Sequence, residues 1–103
     1  MEKLIENGKV AVLYSPGYGA GWYTWNRELP EIMFDPAIVK MVIEKRFDEL
    51  ETFVTLKYSN IYTGGLMDLE VIWVTEGRIF RIDEYDGNES IEYKDEAENW
   101  FIA

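Results

Sequence analysis

The chain has 103 residues, 48% of them hydrophobic and 16% aromatic, which is enough for one folded domain with one core and excludes a disordered polypeptide. Its 20 acidic and 10 basic residues give a net charge of −10, which argues against general binding to DNA, RNA or anionic membranes. The chain has no cysteine and no histidine, which excludes disulfides, zinc–thiolate sites and thiol nucleophiles and removes the commonest general base.

The first predicted element is a strand over residues 9–15, because a continuous apolar run is typical of a strand covered on both faces and central in its sheet. The residues before it lack the basic-then-apolar pattern of a signal peptide, and no apolar run is long enough to span a membrane. We therefore expect a cytoplasmic protein.

The most informative part of the sequence follows this strand and is called here the glycine-aromatic segment, residues 15–26. Its sequence is Ser-Pro-Gly-Tyr-Gly-Ala-Gly-Trp-Tyr-Thr-Trp-Asn, which matches neither the dinucleotide-binding fingerprint nor a P-loop. Its glycines could expose successive N–H groups as a nest for an anionic oxygen, and its aromatic side chains could stack a flat ring. The alternatives are that Trp22 and Trp25 anchor the core, or that the segment is a protein-binding surface.

Two helices are predicted next. Asp35 and Pro36 are typical of an N-cap and a first helical residue, and the first helix should cover residues 36–46 with Ile38, Met41 and Val42 facing the core. A second cap-like pattern at Asp48 opens a stretch whose apolar residues lie at helical spacing. These residues are Leu50, Phe53, Val54 and Tyr58. The β-branched residues in this stretch also suit a strand.

The last third of the chain predicts an antiparallel meander. Strands over residues 69–75 and 78–85 are separated by Glu76-Gly77, and Asp86-Gly87 leads into a strand over residues 89–93. Residues 100–102 are apolar enough for a short last strand. The expected fold is therefore one domain, residues 1–103, of the α+β class. It should have a mainly antiparallel sheet of about four to five strands with one or two helices packed on one face.

Two groups of charged residues outside the glycine-aromatic segment each have a functional and a structural interpretation. Arg78 and Arg81 flank the Glu76-Gly77 turn and could reach a phosphate or carboxylate, although cross-strand pairing with nearby acids is the commoner arrangement. The C-terminal region carries many acids, which form either a solvated face or a surface that docks on a basic groove of another protein. These acids are Asp83, Glu84, Asp86, Glu89, Glu92, Asp95, Glu96 and Glu98.

Catalysis is not expected. Ser15 is not in a nucleophile elbow and has no histidine to act as its base, and a chain of this length rarely builds a deep sugar cleft for paired carboxylates. The acids around Asp83 lack the spacing of a calcium-binding EF-hand loop. We therefore expect no catalytic residues, no metal and no cofactor.

The sequence resembles a family of short, acidic, uncharacterised proteins of bacterial tailed phages. The resemblance spans nearly the whole chain and is carried by residues 15–26, 34–36, 38–40 and 80–87, by Trp73 and Gly77, and by the terminal Phe-Ile-Ala. The family has no established activity, so the resemblance implies a setting, the cytoplasm of an infected host cell. Small non-enzymatic phage proteins frequently act against host defences, which is an analogy.

Two functions of different classes follow. The first is a non-enzymatic phage accessory protein that binds and sequesters a small nucleotide-like ligand. A homo-oligomer would assist this function, because pockets between subunits enclose more of a ligand. The predicted ligand-binding residues are Ser15, Gly17, Tyr18, Gly19, Gly21, Trp22, Thr24, Trp25, Asn26, Arg78 and Arg81. The second function is an acidic inhibitor that occupies the basic, nucleic-acid-binding surface of a host defence protein.

Overall fold

The computed structural model describes residues 1–18 and 21–94, which form two antiparallel sheets and two α-helices. The first sheet has the strand order β1-β2-β3, with β1 Ile5–Glu6, β2 Lys9–Tyr14 and β3 Glu70–Thr75. The second sheet is a hairpin of β4 Phe80–Tyr85 and β5 Asn88–Tyr93. The helices are α1 Pro36–Ile43 and α2 Phe47–Lys57, and short 3-10 turns cover Tyr23–Trp25, Pro30–Met33 and Leu66–Asp68. The predicted α+β class with a mainly antiparallel arrangement is confirmed.

Strand β2 lies at the centre of the three-stranded sheet and is buried on both faces. Ala11 and Leu13 point toward the core that contains α1 and α2, whereas Val10 and Val12 contact a second core that includes Ile82 of β4. The predicted central strand is therefore confirmed. It is buried on both faces because the helices cover one side of the sheet and the β4–β5 hairpin covers the other.

Helix α1 begins as its sequence predicts and ends earlier. The Asp35 carboxylate accepts hydrogen bonds from the backbone N–H groups of Ala37 (2.9 Å) and Ile38 (3.3 Å), which confirms the N-cap. The helix ends at Ile43 rather than at residue 46, because Lys45 has a left-handed backbone (φ +58°) that no α-helix continues through.

Helix α2 confirms the helical interpretation of the stretch that also suited a strand, with Leu50 and Val54 buried at helical spacing. The predicted cap at Asp48 is wrong. The helix begins at Phe47, so Asp48 lies in its first turn, where a negative charge complements the helix dipole instead of capping the end.

Of the two hairpin turns predicted between strands, one is present and one is not. Asp86 (φ +53°) and Gly87 (φ +84°) join β4 to β5 as a two-residue hairpin, as the sequence predicted. The predicted hairpin at Glu76-Gly77 is wrong, because β3 pairs with β2 and β4 pairs with β5. A turn exists there, with the Arg78 N–H donating to the Thr75 carbonyl oxygen at 3.0 Å, but the two strands then diverge into different sheets.

Two further points concern the chain ends. Strand β1 was not predicted, although Asn7 (φ +51°) and Gly8 form an Asn-Gly turn of the hairpin type between β1 and β2. The last strand predicted at residues 100–102 lies outside the described residues.

Within the described part of the chain, no helix combines the length and apolar character needed to cross a membrane.

Candidate functional site

A buried carboxylate occupies the inner side of the glycine-aromatic segment. Glu89 of β5 is 1% exposed, and its Oε1 accepts a hydrogen bond from the Ser15 N–H at 2.8 Å. Its Oε2 accepts from the backbone N–H groups of Trp22 and Thr24, both at 2.9 Å, and from the Thr24 hydroxyl at 2.5 Å. The donors are the backbone N–H groups of Ser15, Trp22 and Thr24 rather than those of the glycines, and the carboxylate that they bind belongs to the chain itself.

The hydroxyl residues of the segment are engaged inside the protein. The Ser15 side chain is buried and donates to the Gly65 carbonyl oxygen at 3.0 Å, while the Ser15 carbonyl oxygen accepts from the Glu89 N–H at 2.8 Å. The Thr24 hydroxyl donates to Glu89. Ser15 and Thr24 thus use their hydroxyl donors in hydrogen bonds within the protein.

The predicted stacking residues differ in exposure. Trp22 is fully buried, and its indole N–H donates to the Ile32 carbonyl oxygen at 2.8 Å, which makes it a core residue. Trp25 is half exposed and stacks on Tyr62, with ring centroids 4.9 Å apart and planes inclined by 25°. Tyr18 is exposed. Of the three, only Trp25 and Tyr18 therefore present aromatic surface to solvent.

Asn26 fastens the segment to the chain that follows α2. Its amide nitrogen donates to the carbonyl oxygens of Trp22 and Tyr62, each at 2.9 Å, and its side-chain oxygen accepts from the Tyr62 N–H at 2.8 Å. These bonds use both the nitrogen and the oxygen of the Asn26 amide, and they hold Tyr62 beside Trp25. Asn26 therefore stabilises the stack of the Trp25 and Tyr62 rings.

Close packing explains two glycines near the segment. A Cβ at Gly21 would lie 1.8 Å from the Cδ1 of Trp25, so the bare backbone is what lets that ring lie flat against the chain. A Cβ at Gly65, which sequence reasoning did not select, would lie 2.3 Å from the Gly21 carbonyl oxygen. Gly17 packs against Asp68, and Gly19 lies outside the described residues.

Arg78 and Arg81 lie on and beside the β4–β5 hairpin. The Arg81 guanidinium donates to Glu92, its cross-strand neighbour, through Nε (3.1 Å) and Nη2 (2.9 Å). These bonds and the charge of Glu92 raise the pKa of Arg81 above its ordinary value. Arg78 lies over the ring of Tyr93, with 3.5 Å from the guanidinium carbon to the ring centroid. Arg81 therefore pairs with an acid across the strands, which is the commoner of the two arrangements considered from the sequence.

A cavity of about 500 Å³ lies where the glycine-aromatic segment faces strand β4. We call it the Tyr23–Arg27 cavity. Its lining residues are Tyr23, Arg27, Met33, Phe34, Phe80, Arg81, Ile82 and Asp83. The Arg27 guanidinium lies 5.8 Å from the Tyr23 ring centroid, and Phe34 and Phe80 meet edge to face at 6.3 Å.

Arg27 is the basic group of this cavity that remains open to a new partner. Among residues 1–18 and 21–94 it forms no ion pair, whereas Arg81 is already bound to Glu92. Sequence reasoning missed Arg27, Phe34 and Phe80, because their convergence depends on the packing of β4 against the turn at Tyr23–Trp25. Of the lining residues, sequence reasoning had selected only Arg81 as a ligand-binding residue, and Tyr23 lies inside the glycine-aromatic segment without having been selected.

A larger groove of about 690 Å³ runs between the end of α1 and strand β3. Its charged residues are Lys45, Asp68 and Glu70, so carboxylates outnumber the single ammonium group. This balance disfavours an anionic ligand, and we place the candidate site in the smaller cavity for that reason.

The described part of the acidic region is not a uniform surface. Asp83 and Asp86 are exposed, but Glu89 is buried against the glycine-aromatic segment and Glu92 is paired with Arg81. Asp95, Glu96 and Glu98 lie outside the described residues. Within the described ranges, no three acidic side chains converge in a way that could hold a metal ion.

Comparison with protein-family models, curated proteins and solved structures gave no match to this chain.

Proposed function

We propose that this protein is a non-enzymatic binding protein for a small nucleotide-like ligand, held in the Tyr23–Arg27 cavity. One observation carries the proposal: in a chain of net charge −10, this cavity brings two guanidinium groups, against the one carboxylate of Asp83, together with three aromatic rings. A flat ring with an anionic substituent is the ligand chemistry that such a lining complements.

The parts of the cavity have separate roles. Arg27 supplies a charge that is free to pair with a phosphate or carboxylate of the ligand, while Arg81 adds a second charge that it shares with Glu92. Tyr23 and Phe80, both half-buried, offer ring surface. The volume of about 500 Å³ lies within the range of roughly 300–1,000 Å³ that is usual for small-ligand sites.

The proposed role is sequestration, which needs tight binding and no turnover. It suits a chain that has neither histidine nor cysteine for catalysis. In the phage setting that the resemblance implies, the ligand would be a nucleotide signal of a host defence. Assembly into a homo-oligomer would enclose the ligand further, because the cavity opens at the surface of one small chain.

The test has two steps. Native mass spectrometry of the purified protein detects a co-purified small molecule, and calorimetric titration then offers AMP, GMP, CMP, UMP and their 3′,5′-cyclic forms. The Arg27→Gln variant should bind any accepted nucleotide at least tenfold more weakly, because it removes the free charge from the cavity.

The matched control is Arg46→Gln, which removes the same charge from a residue paired with Glu44 and Glu49, outside the cavity. It should leave the affinity within twofold of wild type. A clean apo mass combined with no heat of binding for any of the nucleotides would rule out the proposal.

A second function, an acidic inhibitor of a basic host protein, is favoured by one feature of the β4–β5 hairpin. Tyr85 is 81% exposed and lies between the exposed Asp83 and Asp86. Tyrosine is enriched at protein interfaces, and the two carboxylates would complement the charge of a basic partner. A binding partner found for this surface should be lost in high salt and by Tyr85→Ala, whereas nucleotide binding should survive Tyr85→Ala.

A further inference from the structure

Glu89 is a buried carboxylate with an unusual set of partners. Three backbone N–H groups and one hydroxyl donate to it, and no lysine or arginine of the described ranges lies within ion-pair distance of it. A buried carboxylate without a cation is costly unless hydrogen bonds satisfy its oxygens. Neutral donors of the glycine-aromatic segment therefore satisfy the Glu89 carboxylate, in the way that backbone N–H groups bind anions elsewhere.

These hydrogen bonds join elements that are far apart in the chain. The donors on Ser15, Trp22 and Thr24 lie 74, 67 and 65 residues before Glu89. The Trp22 and Thr24 N–H groups flank Tyr23, and both donate to the same carboxylate oxygen. The backbone of Tyr23 is thus held on both sides by Glu89.

The same residue is connected to both walls of the Tyr23–Arg27 cavity. One wall comes from Tyr23 of the glycine-aromatic segment and from Arg27, which directly follows the segment, and the other comes from β4, which carries Phe80 and Arg81. Strand β5, which carries Glu89, is hydrogen-bonded to β4 along its whole length. Glu89 therefore connects one wall to the other.

We propose that Glu89 is the positioning residue of this cavity: it is an internal carboxylate ligand of the glycine-aromatic segment that sets the place of Tyr23 relative to β4. The proposal rests on the proposed function only for its effect on nucleotide affinity. Its effect on Tyr23 is a property of the fold and can be measured without any nucleotide.

The test compares Glu89→Ala with Val54→Ala. Val54 is fully buried in α2, in the core on the opposite side of β2, so its truncation lowers stability without touching the cavity. In Glu89→Ala the NMR signals of the Trp22 and Thr24 amides and of the Tyr23 ring should move, and 100 mM sodium formate should return them toward wild type, since formate replaces the missing carboxylate. Sodium chloride at the same concentration should not restore them. Val54→Ala, whose side chain shares its core with Trp22, should leave the Tyr23 ring signals at their wild-type positions and show no response to formate.

The affinity measurement uses whichever nucleotide of the panel binds the wild type. Glu89→Ala should lose at least tenfold and recover in part with formate, whereas Val54→Ala should stay within twofold. If Glu89→Ala does not fold, Glu89→Gln takes its place, because it keeps the side-chain volume and replaces one acceptor oxygen by a donor that faces N–H groups.

The outcomes separate the two proposals. If no nucleotide binds the wild type, the proposed function fails, and the Tyr23 signals alone decide the role of Glu89. Wild-type Tyr23 signals in the Glu89 variant that folds, or equal disturbance of the Tyr23 signals by Val54→Ala, would overturn the positioning role. Shifted Tyr23 signals with unchanged affinity for a bound nucleotide would also overturn it.

Discussion

Glu89 and Ser15 are joined by two hydrogen bonds of opposite direction. The Glu89 N–H donates to the Ser15 carbonyl oxygen at 2.8 Å, and the Ser15 N–H donates to the Glu89 carboxylate at 2.8 Å. Ser15 directly follows the central strand β2, and Glu89 lies in the β4–β5 hairpin. This pair therefore links the two sheets at the point where the glycine-aromatic segment begins.

The first prediction concerns the contribution of this carboxylate to stability. Glu89→Ala leaves two buried backbone N–H groups and one partly buried one without their acceptor, and each buried group costs about 1–3 kcal/mol. We expect the free energy of unfolding, measured by urea denaturation, to fall by about 3 kcal/mol or more. Glu92→Ala, which breaks only the surface pair with Arg81, should cost at most about 1 kcal/mol. Equal losses in the two variants would contradict the internal role of Glu89.

The second prediction concerns the two tryptophans that the sequence could not distinguish. Trp22 is fully buried and hydrogen-bonded, so Trp22→Ala should lower the free energy of unfolding by about 3–5 kcal/mol. Trp25 is half exposed and contributes mainly its stack on Tyr62, so Trp25→Ala should cost about 0.5–1.5 kcal/mol. Thermal and urea unfolding of the two variants measure both losses. A larger loss for Trp25→Ala than for Trp22→Ala would contradict the burial of Trp22 in the core.

The third prediction concerns pH and Asp35. Burial by itself would raise the pKa of Asp35, but hydrogen bonds from Lys57 (2.7 Å), Tyr58 (2.6 Å) and the Ile38 amide, together with the charge of Lys57, hold it below its ordinary value. Because the pKa is lower in the folded state, Asp35 stabilises the protein above the pKa of the unfolded chain, about 4. This stabilisation is lost as the pH falls through the folded-state pKa.

The variant that tests this is Asp35→Asn, which keeps a capping side chain but cannot ionise. At pH 7 it should be less stable than wild type by about 1–2 kcal/mol, and the difference should shrink as the pH is lowered below about 4. Urea unfolding at pH 7, 5, 4 and 3 measures the difference. Asp48→Asn in the exposed first turn of α2 is the control and should show a much smaller change. A difference that stays constant down to pH 3 would mean that Asp35 is not stabilised in its charged form.

Local patterns in the sequence predicted the local structure well. The Asp35-Pro36 helix start and the Asp86-Gly87 turn depend on a few adjacent residues whose backbone geometry the residue types favour, and both are present. The apolar run of β2 likewise predicted a strand buried on both faces. In each case the residues that determine the feature are neighbours in the chain.

Features that depend on distant partners could not be predicted in the same way. The turn at Glu76-Gly77 does not determine whether β3 pairs with β4 or with β2, and β2 is the partner in the structure. Glu89 is one of many acids in its region, and nothing around it in the sequence distinguishes it from Glu92. Its burial follows from the donors on Trp22 and Thr24, more than sixty positions away. The candidate cavity was missed for the same reason, since Arg27 and Arg81 meet only in the folded chain.

The last prediction concerns the end of α1. The Arg46 N–H donates to the Met41 carbonyl oxygen (2.9 Å) and the Lys45 N–H donates to that of Val42 (3.1 Å), which is the Schellman pattern of a helix C-terminus. Lys45 occupies the left-handed position of this motif (φ +58°), where a glycine avoids the strain of a side chain. Lys45→Gly should therefore raise the free energy of unfolding by about 0.5–1 kcal/mol.

The control for this prediction is Lys40→Gly, which removes the same charge from an exposed position inside α1. It should lower stability by about 1 kcal/mol, because glycine is unfavourable in a helix interior. Because the two variants should change the free energy of unfolding in opposite directions, the loss of a lysine charge, which they share, cannot explain both changes. If both variants were destabilised in urea unfolding, the Lys45 side chain would stabilise the helix end by more than its left-handed backbone costs.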